Sequence, residues 1–128
     1  MNKPLFIAFT LGVFLVLPQC NAADIKLRQS FQKFAEEPQN VKDFEDAVKW
    51  MKSLPVSDKR SWQFQANIHW TDATSNIDPL WNQCTHGEWK FTIWHRAYLY
   101  RFEKIIQAHL QKPNFRLPYW DYTDSTQT

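Results

Sequence analysis

The sequence predicts a mainly α fold, and three observations carry that expectation. Only two glycines occur in 128 residues, too few for a turn-dense β-sandwich. Apolar residues recur at helical spacing in separate stretches. Prolines or polar runs close each of these stretches. A hydrophobic share of 44% against 22% charged residues describes a globular chain rather than a disordered one. A net charge of +2, without any basic run, argues against a nucleic-acid partner.

The N-terminus reads as an export signal. Lys3 supplies the positive start, residues 4–18 are uncharged and largely apolar, and Cys20-Asn21-Ala22-Ala23 offers a small-residue cleavage site, best placed between Ala22 and Ala23. The apolar run is short for a spanning helix. Pro18 and Gln19 are poor residues before a lipidated cysteine, so an anchor or lipoprotein is the lesser reading. A signal peptide over residues 1–22 and a single domain over 23–128 are expected, exported to the periplasm or medium, with no membrane attachment after cleavage. Removing residues 1–22 takes away Lys3 and Cys20, leaving 14 basic against 13 acidic residues and Cys84 as the one cysteine. It has no internal disulfide partner, and an unpaired thiol in an exported protein needs an explanation.

From Asn40 to Leu54 the apolar residues Val41, Phe44, Ala47, Val48, Met51 and Leu54 form a one-sided helical stripe, stopped by Pro55. Ser57-Asp58 can cap a second helix running through Trp62, Gln65 and Ile68 to about Trp70. Thr71 to Lys90, rich in Thr, Asp, Asn and Ser, reads as an irregular connection long enough to suggest function. A third helix starts around Phe91 to Trp94 and reaches about Gln111. His95, Tyr98, Leu99, Phe102, Ile106 and Leu110 line its apolar stripe, with Arg101, Lys104 and Gln107 outside. Pro113 marks its end, and Phe115 to Tyr122 follows as an extended aromatic segment.

Four histidines remain as metal candidates. His95 and His109 share a helix fourteen residues apart, about 21 Å along its axis, whereas metal–nitrogen bonds are about 2 Å. These two cannot hold one ion, and His109 is read as a packing residue. His86 and His95 would lie about 13 Å apart on one helix, so they converge only if His86 belongs to the preceding loop, where Gly87 permits a turn. His69 at the end of the second helix would complete a three-imidazole set. Such a set suits copper, and by spacing alone zinc serves equally well.

The residue context is more specific. Cys84-Thr85-His86-Gly87, Phe91-Thr92-Ile93-Trp94-His95-Arg96-Ala97-Tyr98-Leu99, Phe102-Glu103 and Leu117-Pro118-Tyr119-Trp120-Asp121 resemble the copper A signature of the tyrosinase family. Ala66-Asn67-Ile68-His69 is similar to the helix end that carries the family's first ligand. The resemblance runs from about residue 41 to 122. It implies half of a four-helix antiparallel bundle with long irregular loops, and His69, His86 and His95 as ligands of one copper. It also implies a thioether from Cys84 to His86, which would hold a loop imidazole in place; the plainer alternative is a buried free cysteine. Phe91 and Trp94 would wall the site. Arg96, Glu103 and Asp121 would supply buried charge pairing or hydrogen bonds to the ligands. No catalytic residue separate from the metal ligands is expected.

Members of the family use dioxygen at two coppers to oxidise monophenols or o-diphenols to quinones, or to carry oxygen. The second copper needs three further histidines, which these 128 residues do not contain. The expectation is therefore one copper-binding half of an oxidoreductase, inactive alone. It would be a fragment of a longer protein, a half-protein completed by a copper B-bearing chain, or a remnant. The alternative from another class is a non-catalytic module holding one copper.

Overall fold

A computed structural model of the protein describes residues 27–75 and 77–123. The expected signal over residues 1–22 lies outside the described residues. Four helices organise the rest: α1 (Phe31–Ala35), α2 (Pro38–Ser53), α3 (Trp62–His69) and α4 (Phe91–Leu110). The mainly helical class expected from the sequence is the class found. Among the described residues the only strand-like pairing is an isolated parallel bridge between Ser30 and Tyr119.

Helix α1 is too short to leave a periodic stripe in the sequence. Its Ser30 Oγ accepts the Lys33 N–H at 3.4 Å, and it buries Phe34. Helix α2 begins two residues before the expected Asn40, because Pro38 fits the first turn, where its missing N–H costs nothing. Its inner face buries Ala47 and Met51, and it ends where Leu54 turns extended ahead of Pro55.

The start of α3 differs from the expected Ser57-Asp58 cap. Asp58 is committed to a turn of its own, accepting the Arg60 backbone N–H at 2.8 Å and the Arg60 guanidinium at 3.0 and 2.7 Å. That pairing holds the Asp58 carboxyl down at about 2. The cap falls to Ser61, whose Oγ accepts the Phe64 N–H at 3.0 Å. Helix α4 closes at Gln111, which takes a left-handed φ of 55° before Pro113.

Gln107, expected on the outer face of α4, is buried and donates its side-chain N–H to the Phe115 carbonyl at 2.7 Å. Leu99, expected within, is 41% exposed. The burial of Gln107 has a tertiary cause. After Pro113 the chain runs back beside α4 and covers a face that the helix's own periodicity marks as solvent-facing.

Glu103 is part of the same arrangement. Its carboxylate accepts the Leu117 N–H at 2.9 Å and the Arg28 Nε–H at 3.1 Å, and Arg116 Nε lies 3.8 Å from it. Phe34, Ala47, Met51, Ile106, Phe115 and Leu117 form the core between α1, α2, α4 and this return segment. Backbone bonds from the Phe31 N–H to the Tyr119 carbonyl and from the Tyr119 N–H to the Gln29 carbonyl, both 2.9 Å, tie its end to the start of α1.

Candidate metal centre

The last carbonyls of a helix have no partner within it and must find one elsewhere. In α3 the connecting loop supplies them. The Asn82 N–H donates to the Asn67 carbonyl and the Gln83 N–H to the Ile68 carbonyl, each at 2.9 Å. Asn82 adopts φ 57°, a left-handed conformation that asparagine tolerates better than most residues, and its side-chain oxygen accepts the Thr71 N–H at 2.8 Å. Trp81 and Phe64 pack edge to face, ring centroids 5.8 Å apart. The loop is thus pinned to the C-terminal end of α3, which delivers Cys84 beside His69.

His86 follows on the loop, and Gly87 at φ 73° turns the chain into α4. His95 lies in the second turn of α4, where its Nδ1 is 2.8 Å from the Phe91 carbonyl. A carbonyl only accepts, so the proton belongs on Nδ1 and the Nε2 lone pair is left free. That Nε2 is 3.4 Å from His69 Nε2 and 3.3 Å from Cys84 Sγ. Cys84 Sγ is also 3.5 Å from His86 Nε2. One donor atom from each of His69, Cys84, His86 and His95 lies within 4.8 Å of all the others. Three imidazoles and a thiol so placed fit a copper or zinc ion.

The surroundings are aromatic. Phe91 packs against His95 at 4.3 Å and against His86 at 5.9 Å between ring centroids. Trp94 meets His95 at 4.9 Å and His69 at 6.1 Å. Tyr98, which the sequence places in an apolar stripe and within the family signature but without a role at the site, stacks on Trp94 at 5.1 Å and reaches His69 at 6.2 Å. Its position three residues after His95, on the same helix face, is the signal that could have found it. The Tyr98 hydroxyl donates to the Gln65 carbonyl at 2.7 Å. Burial pushes its phenol up, and the Cys84 sulfur adds in the same direction. Burial also pushes up the Cys84 thiol.

Of the charged residues singled out with the ligands, Glu103 takes part in buried charge pairing on another part of α4. Arg96 is exposed on α4. Glu103 faces Arg28, Arg116 and the Leu117 amide. Asp121 accepts the N–H and hydroxyl of Thr123 at 3.1 and 2.6 Å. His109 stacks on Trp50 of α2, centroids 3.9 Å apart and planes 5° from parallel, well away from the cluster.

Residues 59–128 match the family model described as the common central domain of tyrosinase. A chloroplastic polyphenol oxidase from Spinacia oleracea is 37% identical over 101 residues, 76% of this chain and 16% of that protein. A tyrosinase from a Hahella species is 33% identical over 126 residues, 81% of this chain and 27% of its own length. Among solved structures, a tyrosinase from Burkholderia thailandensis superposes with a TM-score of 0.63 at 26% identity, covering 78% of this chain and 22% of that one. The chain therefore spans about a quarter or less of the proteins it resembles. Sequence and helical core agree: the chain belongs to the tyrosinase family.

Proposed function

We propose that His69, His86 and His95 hold one copper ion, and that this chain provides one half of a two-copper centre oxidising monophenols or o-diphenols with dioxygen. The observation that carries the reading is the convergence of three Nε2 atoms from a helix end, a loop and a second helix, with the His95 tautomer set by the Phe91 carbonyl. Copper, when bound, supplies the electron transfer between phenol and dioxygen. The chain's own residues orient the imidazoles: the Phe91 carbonyl fixes the His95 ring, and the Phe91 and Trp94 rings pack against the histidines.

The one other histidine, His109, is engaged with Trp50, so these residues supply ligands for a single copper. A second histidine set, from another segment or another chain, is needed before phenols are turned over. The N-terminal 22 residues, on this reading, direct export. No described helix is long and apolar enough to cross a membrane.

The test is to load the chain with copper and measure metal content and catechol oxidation together. One copper per chain without quinone formation is expected. Two coppers per chain, or turnover by the chain alone, would overturn the half-site reading. N-terminal sequencing of the exported protein should begin at Ala23.

A further inference from the structure

We propose that the cavity between α3 and α4 is a binding site for a small organic anion with a flat aromatic body, an aryl carboxylate. The cavity has a volume of about 530 Å³, within the range of small-ligand sites. It has three walls, formed by α3, by α4 and by Leu80 and Gln83 of the connecting loop. The Asn82 and Gln83 amides pin that loop to the end of α3, so the third wall is part of the fold. Such a volume holds little more than one turn of a helix about 10 Å across, and a small molecule fits where a packed helix does not. None of the four donor residues of the metal centre lines it, so the site stands whether or not the histidines hold a metal.

The lining fixes the chemistry. Phe64, Ile68, Leu80 and Ile105 give an apolar floor, and Trp94 and Tyr98, stacked with planes 16° from parallel, give an aromatic wall. The polar groups of that lining are engaged within the chain. The Gln65 side-chain N–H donates to the Lys59 carbonyl at 2.6 Å, and the Tyr98 hydroxyl to the Gln65 carbonyl at 2.7 Å. The Gln83 side-chain N–H donates to the Pro79 and Trp81 carbonyls at 3.0 and 3.2 Å. Arg60 is paired with Asp58 at 2.7 Å. Lys59 and Arg101 also line the cavity and are exposed, and neither has a carboxylate partner among the described residues. An aromatic body therefore meets walls that ask for no hydrogen bond, and its carboxylate meets two cations without counter-charge.

The experiment titrates the isotope-labelled full chain, without added metal, with 2-naphthoate and in parallel with neutral 2-naphthalenemethanol, following amide shifts by NMR. Saturable binding of one 2-naphthoate is expected, with Kd about 1 mM or tighter. The largest shifts should fall at Ile68, Ala97, Tyr98 and Arg101. The alcohol should bind about threefold to fivefold more weakly, the usual size of one exposed ion pair, and the difference should shrink as salt is raised. The double variant K59A/R101A should bind both probes alike.

No shift at millimolar 2-naphthoate, shifts centred on the exposed rings of Trp89 or Trp120, or equal affinity of wild type for the two probes overturns the assignment. An acidic amphipathic helical peptide is titrated as the rival occupant. Its binding at these amides, without binding of 2-naphthoate, assigns the face to a helix and overturns the small-ligand site. The comparison of acid with alcohol is read on wild-type protein, so a poorly folded variant does not obscure it.

Discussion

The Tyr98 hydroxyl donates to the Gln65 carbonyl across 2.7 Å, joining α4 to α3 within a turn of a histidine on each helix. Removing that hydroxyl in Y98F should cost about 1 kcal/mol of stability by urea unfolding. It should also weaken metal binding by up to about tenfold, because the two helices are no longer held in register. Since folding raises the phenol's pKa, its contribution is complete below the ordinary tyrosine value and is lost as pH rises through the folded one. Stability of the native chain should therefore fall in that alkaline range, and Y98F should remove this part of the decline. An identical alkaline slope in both proteins would count against the assignment.

Glu103 is the hub of the return segment, 4% exposed and accepting bonds from Arg28 and the Leu117 amide. In E103A the Leu117 amide is stranded and the Arg28 guanidinium loses its bond to the carboxylate, which should cost about 3 kcal/mol. E103Q keeps an acceptor and should cost less. Metal stoichiometry of the folded fraction should not change in either variant, since Glu103 faces away from the histidines.

The two histidine classes separate cleanly by substitution. H86A should abolish copper uptake as measured by metal analysis. H109A should leave uptake intact and lower stability by about 1 kcal/mol, the worth of an aromatic stack on an exposed face. Equal loss of copper from both variants would remove the geometric basis of the site.

Gly87 has φ 73° and open space where a Cβ would lie, so its requirement is conformational and not steric crowding. G87A should cost about 1 kcal/mol, and G87N less, because asparagine accepts the left-handed region. Both should reduce metal affinity through His86, the preceding residue, in the same order as the stability loss.

Much of this fold is legible in the sequence where the physics is local. Met51 and Ala47 mark the inner face of α2 by spacing alone, and helical rise alone separates His95 from His109 along α4. The tertiary terms are not legible there. Ser61 rather than Ser57 caps α3 because Asp58 is taken by Arg60. Gln107 and Glu103 are buried by a segment that returns after Pro113. The set of donors around His95 depends on loop amides bonding to the Asn67 and Ile68 carbonyls, a pairing with no periodic trace.

The bridge between Ser30 and Tyr119 has a kinetic consequence. It joins segments from opposite ends of the described chain, so its closure entropy exceeds that of the helix–helix contacts it encloses. It should form after α2 and α4 have met, and open before they part. In native-state hydrogen exchange the Phe31 and Tyr119 amides should exchange by a low-energy local opening. The amides around Met51 and Ile106 should wait for global unfolding.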